Sequence, residues 1–400
     1  MSAKPHKILW SSNSPWSTSG YGQQTALTVP RIQALGHDVA INCFFGLEGA
    51  AIQWNGINCY PTDQTRFGNL MLGDYAHHHT GGKRHECLIL TLMDVWVMLQ
   101  GIPNMKDLRF ACWTPVDHDP VPPMVVEFLR QVQAQVIAMT RFGERRLTQA
   151  GFHPMYVPHA VDTSIFKPDA DQGLEQRKQL NIPEDAFVVG MVANNQGVPS
   201  RKAFPQVFEA FAEFRKRHSD AMLYVHGDVF GRNQGVDLQA LAGVCGIPDE
   251  ATRATEHLAL HIGIPPQTVA SLYNMFDVLA MPSMGEGFGI PLIEAQACGV
   301  PVITTDWTAM TELCGAGWLV DGDRFYDATQ RSFFKLARIG DILDALEMSY
   351  EKRGDKHIRA AAAEFALAYD VDLVFDTYWK PVLERLTKPR EVAPLQLVAA

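Results

Sequence analysis

Two glutamates, Glu286 and Glu294, flank a glycine-rich turn in the segment MPSMGEGFGIPLIEAQACGVPVITTD, Met281–Asp306. Gly285, Gly287 and Gly289 remove three side chains from that turn, so its backbone can approach a ligand closely. Pro291 suits a first helical position, and Gly299 with Pro301 stops the helix it opens. The backbone N–H groups of Gly289–Leu292 then converge at a helix N-terminus, which favours an anion. Glu286 sits just before that terminus and Glu294 one turn inside it, so both can face one ligand. In isolation the same turn reads equally as acidic residues complementing a helix dipole, at roughly 0.3–1 kcal/mol each. No GxGxxG opens a first strand–helix turn, and no GxxxxGK[ST] loop is present.

Such a turn needs a strand before it and a helix after it, and the chain supplies that pattern twice. Strands are expected near Lys7–Trp10, Asp38–Phe44, Cys87–Met93, Arg109–Thr114 and Gln135–Met139, with helices at Gln23–Leu35 and Pro122–Gln133. A second series is expected near Val188–Val192, Met222–His226, Leu258–Ile262, Val278–Met281 and Val302–Thr305. Its helices fall at Phe204–Arg217, Pro266–Met275 and Pro291–Cys298. Alternating strands and helices of this kind predict an α/β fold of two Rossmann-like, doubly wound domains facing a cleft. The reading places a first domain at 1–165, a second at 166–370, a returning helix at 371–386 and a tail at 387–400. Pro381 should kink that helix, and the tail from Pro389 should fray.

Four hundred residues suit two or three domains, and 47% apolar with 20% charged residues is the composition of an ordinary globular chain. The net charge of −10 argues against a generic nucleic-acid binder. Residues 1–165 carry 12 basic and 12 acidic side chains, so the whole excess lies in 166–400. Seven scattered cysteines without a CxxC pair fit a reducing compartment. No window approaches 18 apolar residues and no signal-peptide core opens the chain, so a cytoplasmic protein is expected.

The stretch EGFGIPLIE, with its E-x7-E spacing, resembles the donor-site motif of retaining glycosyltransferases of family 4, which have the GT-B fold. Weaker similarities follow in the family's order: TSGYG (Thr18–Gly22), VDHDP (Val116–Pro120), VPHAVDTSIFKP (Val157–Pro168), SRKAF (Ser200–Phe204) and HIGIPP (261–266). The helix from Val371 is similar to the family's helix that crosses back onto the first domain, and the resemblance as a whole covers about residues 7–386. The resemblance implies transfer from a nucleotide-diphosphate sugar to an acceptor hydroxyl, without metal or other cofactor.

It also implies roles. Arg201 and Lys202 would stabilise the departing diphosphate, and the N–H groups of Gly287, Phe288, Gly289 and Ile290 would line sugar and diphosphate. Glu286 would accept from sugar hydroxyls and Glu294 from the ribose. Ile262 would lie near the base, and Gly20, Tyr21 and Gly22 near the donor phosphate or acceptor. His118 would contact the reacting sugar, where a neutral imidazole or nearby carbonyl stabilises developing positive charge. The family's Gly-Arg after the first strand of this domain is replaced by Val192–Asn195, so Arg201 or Asn195 must substitute.

The acceptor is left open among glycan, lipid, protein, small molecule and modified nucleic acid, as is the oligomeric state. Arg141, Arg145 and Arg146 form one basic cluster, and His77–His79 with Lys83, Arg84 and His85 another, expected on a loop. Rival readings are a nucleotide-sugar epimerase or phosphorylase on the same fold, or a non-catalytic nucleotide-sugar-binding protein.

Overall fold

The computed structural model describes residues 6–232 and 234–388; the tail expected to fray from Pro389 lies outside them. Strands β1 (Lys7–Asn13), β2 (Asp38–Phe45), β3 (Ile52–Trp54), β4 (Ile57–Tyr60), β5 (Leu88–Leu92), β6 (Arg109–Thr114), β7 (Gln135–Ala138) and β8 (Met155–Tyr156) form one sheet. Its order is β3-β4-β2-β1-β5-β6-β7-β8, parallel except for the β3–β4 pair. Strands β9 (Phe187–Val192), β10 (Ala221–His226), β11 (Thr252–Ala254), β12 (Val278–Met281), β13 (Val302–Thr305) and β14 (Gly317–Val320) form a second, wholly parallel sheet. Its order is β11-β10-β9-β12-β13-β14. In each sheet the direction of winding reverses beside the first strand, at β1/β5 and β9/β12. Ligand crevices open at the carboxyl ends of strands at such points.

The central strands carry continuous apolar runs because helices cover both faces. β9, FVVGMV, is buried at every position, and Gly190 leaves room for the Phe276 ring, which a Cβ there would meet at 2.3 Å. One apolar cluster crosses the domain boundary, running from Ile8 and Trp113 through Phe288 to Leu279 and Val302. The two domains therefore share part of their core.

The returning helix is broken differently from expectation. Two α-helical pieces, Val371–Val374 and Lys380–Thr387, are joined by a π-turn at Phe375–Trp379. Pro381 lacks an N–H and crowds the carbonyl one turn back, and the wider turn absorbs both. The helix lies on the first domain: Arg31 Nη2 pairs with Asp372 at 2.8 Å, and Arg109 Nη2 donates to the Leu386 carbonyl at 3.1 Å. Trp379 is buried, its ring 4.9 Å from Trp113 and 5.9 Å from Trp10.

Leu258–Ile262 is not a strand. The segment His257–Ile262 is a short helix ended by Gly263 at φ 95°, and the edge position is taken by β11. An apolar run of five residues fits either element, and pairing of β11 with β10 had already used the sheet edge. His77–His79 end a helix, Leu72–Thr80, instead of lying on a loop. His79 Nε2 meets the Asp38 carbonyl at 3.0 Å and His78 Nδ1 the Tyr60 hydroxyl at 2.9 Å.

A hairpin after the second sheet, β15 (Gly322–Asp327) and β16 (Ser332–Ala337), reaches across to the first domain. Asp119 N–H donates to the Phe333 carbonyl at 3.1 Å, and Ser332 Oγ donates to the Pro120 carbonyl. Lys335 N–H donates to Met284 on its own domain at 2.9 Å, so the hairpin bridges the cleft.

Candidate active site

The glycine turn sits where β12 ends. Gly289, at φ 104°, is the N-cap of the helix Ile290–Ala297, with Pro291 in its first turn. Gly285 and Gly287 have a use that differs from the expected one. A Cβ on Gly285 would stand 2.1 Å from the Asp117 carbonyl, and one on Gly287 2.3 Å from Pro115 Cβ. The turn is thus pressed against the segment after β6 in the other domain, beside Asp117, the partner of His118. Phe288 is buried and stacks on His159 at 5.0 Å, and Ile290 is buried too, its Cδ1 3.0 Å from where a Gly20 Cβ would stand.

Arg201, Lys202 and Glu286 meet here, and Asp117 links Arg201 to His118. Lys202 Nζ bonds Glu286 Oε1; Arg201 Nη1 lies 2.6 Å from the Gly285 carbonyl, 3.4 Å from Asp117 and 3.9 Å from Glu286 Oε2. Burial alone would raise the Glu286 carboxyl, but the charges of Lys202 and Arg201 outweigh it and hold the group below its ordinary range. Burial lowers the Lys202 ammonium, and the attraction of Glu286 only partly offsets that. The Glu286 N–H donates to Thr308 Oγ1 at 3.1 Å, which fixes the turn.

His118 is held from both sides. Its Nδ1 lies 2.6 Å from Asp117 Oδ1, its Nε2 3.3 Å from Asp327 Oδ2, and its ring centroid 3.7 Å from that of Phe334. Asp327 and Phe334 come from the hairpin. Asp94, at the end of β5, faces the same cluster, and burial followed by the nearby Asp117 pushes its carboxyl up to about 6. Burial, then Asp94 and Asp117, push the Tyr21 phenol well above its ordinary value. Gly20, Tyr21 and Gly22 form the first turn of the helix Gly20–Ala34, with Ser19 Oγ accepting the Gly22 N–H at 3.1 Å.

Glu294 also joins the domains, accepting from Gln23 Nε2 and from the Tyr273 hydroxyl, each at 2.8 Å. Each carboxylate oxygen has a second lone pair for further donors. Ile262 is 74% exposed at its helix end, while neighbouring Gly263 faces Thr18 of the first domain. Asn195 is not among the cluster. Its amide donates to the Asp228 and Val236 carbonyls at 2.7 and 2.6 Å and accepts the Val236 N–H at 3.0 Å, so its hydrogen bonds brace a loop. Of Arg201 and Asn195, only Arg201 faces Glu286.

Asp94, Asp327, Thr308, Tyr273 and Gln23 were not singled out from sequence. Asp94 follows a strand directly, which is a usable sign; the others carry none. Glu312 accepts the N–H groups of Arg141 and Phe142 at 2.7 and 2.9 Å, capping a helix of the opposite domain, Arg141–Gln149.

His159, between the domains, is fully enclosed by Trp113, Phe288 and Tyr21, and neither ring nitrogen has a partner among the described residues. Burial pushes it down to about 3. A folded-state value below the unfolded one, near 6.5, means that the unfolded chain binds the proton first as pH falls. Stability is then full above about pH 6.5 and drops toward pH 3, by about 1.4 kcal/mol per pH unit once well below 6.5. The variant His159→Phe is expected to show a shallower decline than the parent in urea unfolding at pH 7 and pH 5; equal declines would remove His159 as the cause.

Residues 173–318 match the sequence family described as glycosyl transferases group 1. A D-inositol 3-phosphate glycosyltransferase from Arthrobacter sp. (strain FB24) is 31% identical over 217 residues, 52% of this chain and 45% of that protein. A GDP-mannose-dependent alpha-(1-6)-phosphatidylinositol monomannoside mannosyltransferase from Mycolicibacterium smegmatis is 32% identical over 201 residues, 47% of this chain and 49% of that protein. The chain thus spans about a third to a half of the length of the curated relatives it matches. Sucrose-phosphate synthase from Thermosynechococcus elongatus aligns over 96% of this chain and 100% of its own, with TM-score 0.72 and 15% identity. Anabaena HepE in complex with UDP and glucose aligns over 95% and 100%, with TM-score 0.68 and 17% identity. Among the described residues no helix is long and apolar enough to cross a membrane. The chain has the GT-B fold, and its second domain matches the group 1 glycosyl transferases over residues 173–318.

Proposed function

We propose that this chain is a glycosyltransferase of the family 4 type, moving a sugar from a nucleotide-diphosphate sugar to an acceptor hydroxyl with retention of configuration. The acceptor oxygen bonds to the anomeric carbon as the bond from that carbon to the diphosphate oxygen breaks. The electron pair leaves with the nucleoside diphosphate, and the hydroxyl proton passes to the departing phosphate oxygen. The observation that carries the reading is the meeting of Arg201 and Lys202 with Glu286, beside the helix N-terminus at Ile290, across from His118. Fixed cations beside a leaving diphosphate supply the charge stabilisation it needs, so no metal or further cofactor is called for. Glu294 takes the ribose, with Gln23 and Tyr273 orienting it. The relatives named above, two of them transferases acting on inositol-containing acceptors by name, support the same reaction class.

A thermal-shift screen against UDP-, GDP-, ADP- and TDP-sugars tests it. One nucleotide is expected to raise the melting temperature by a few degrees, because a ligand at about 100 times its Kd adds about 2.7 kcal/mol. Acceptor-dependent release of nucleoside diphosphate should follow with that donor. A donor that binds without release would instead mark a sugar-nucleotide sensor, and no shift with any of the four would sink the donor site.

A further inference from the structure

His118 belongs to the first domain, yet much of what surrounds it comes from the second. The hairpin β15–β16 supplies Asp327, whose Oδ2 lies 3.3 Å from Nε2, and Phe334, whose ring centroid lies 3.7 Å from that of the imidazole. Asp117 holds the other nitrogen, Nδ1, at 2.6 Å. An imidazole tied at one nitrogen can still turn about that contact. A partner at each nitrogen and a ring against its face fix the plane.

The hairpin holds the main chain here as well. The Asp119 N–H donates to the Phe333 carbonyl at 3.1 Å. That N–H shares a trans peptide plane with the His118 carbonyl, so the carbonyl is turned to the opposite edge, away from β16. Ser332 Oγ donates to the Pro120 carbonyl, which fastens the next stretch of chain.

The hairpin is itself anchored so that these contacts are set. Asp327 Oδ1 accepts the Thr329 N–H at 2.8 Å, which leaves Oδ2 for His118. Lys335 N–H donates to the Met284 carbonyl at 2.9 Å, just before the glycine turn, and a Cβ on Gly285 would meet Phe334 Cδ1 at 2.8 Å. Phe334 thus touches both the glycine turn and His118.

The contacts form a line across the cleft. It runs from Asp327 of the second domain through His118 and Asp117 of the first to Arg201 of the second, 3.4 Å from Asp117 Oδ2. Asp117 is shared between His118 and Arg201, so a freed imidazole would also disturb the cation beside Glu286.

We propose that Asp327 is a positioning residue for sugar transfer: through the hairpin, the second domain sets the ring and carbonyl of His118 against the reacting sugar. This rests on the glycosyl-transfer reading, in which His118 contacts that sugar. Asp327 acts only through His118.

The test compares the full parent chain with Asp327→Ala, Asp327→Asn and Asp323→Ala. Asp323 lies on the same hairpin and pairs with Arg338 at 2.6 Å, so its loss loosens the hairpin without touching His118. With a donor in hand, Asp327→Ala should lower kcat about tenfold and change the donor KM less than about twofold, as expected for a displaced group and not for a lost binding contact. Asp327→Asn should recover most of the loss, because its amide can bond the same ring nitrogen. Asp323→Ala should keep the parent kcat. Without donor, the His118 ring-nitrogen resonances, identified by their loss in His118→Gln, should move in Asp327→Ala and stay in place in Asp323→Ala. Melting temperatures within about 2 °C of the parent keep unfolding out of the comparison. Parent-like kcat in Asp327→Ala, an effect on donor KM alone, no recovery in Asp327→Asn, an equal fall in Asp323→Ala, or unmoved His118 resonances would each overturn the proposal. If every nucleotide sugar fails to bind, the transferase reading falls, and the ring resonances still decide whether the hairpin sets His118.

Discussion

Replacing Lys202 with alanine is expected to lower sugar transfer about a hundredfold while leaving the melting temperature nearly unchanged. On the proposed reading Lys202 would meet charge that develops on the leaving diphosphate, and its side chain is only 17% exposed, so water screens it little. Its loss also leaves Glu286 with Arg201 alone, at 3.9 Å. The Glu286 carboxyl, held below its ordinary range by both cations, must then rise. The acid limb of the rate profile should therefore move to higher pH in Lys202→Ala. Glu286→Gln is expected to cost a similar factor, and the double variant little more than either single one, because the pair acts as a unit. Rates of nucleoside diphosphate release across pH settle the matter. Parent-like rates in both single variants would remove this cluster from the chemistry.

Trp379→Ala is expected to destabilise the first domain by about 3–5 kcal/mol, the usual cost of deleting a buried aromatic ring. The indole is 2% exposed and packs edge-on against Trp113, with Trp10 on its other flank. No polar group replaces it, so the variant leaves a cavity that neighbouring backbone strands cannot fill. Urea unfolding followed by tryptophan fluorescence reports this directly, since two more of the rings lie in the same contact. A loss below about 1 kcal/mol would mean that the returning helix is held mainly by its rim pairs, such as Arg31 with Asp372.

The site was legible where chemistry and local structure share the same few residues. Glu286, Gly289 and Pro291 announce a turn, a helix start and a carboxylate within one short stretch. His118 was singled out through the resemblance of VDHDP to a family element, and the structure holds it between Asp117 and Asp327. Asp327 was not, because its hairpin carries arginine, aspartate and tyrosine on exposed positions and lacks a tight-turn signal. Leu258–Ile262 was misread because a five-residue apolar run has no length with which to separate helix from strand. Asn195 and Arg201 were equal candidates by type, and only tertiary placement separates them. Gly285 and Gly287 were identified for backbone approach, but what approaches them in the structure is the other domain.

The indole contact of Trp379 with Trp10 and Trp113 also bears on how the protein is made. During synthesis the first sheet leaves the ribosome long before residues 371–387 are available to cover it. Until then the Trp10 and Trp113 surface stays open to solvent, and a domain with an unfinished core is prone to associate with other chains. Production should accordingly be more sensitive to conditions that slow translation of residues 371–387 than to those that slow the segments between the two sheets. A fragment ending before Val371 should be recovered mostly as aggregate, even though it keeps Arg201, Lys202, Glu286 and His118.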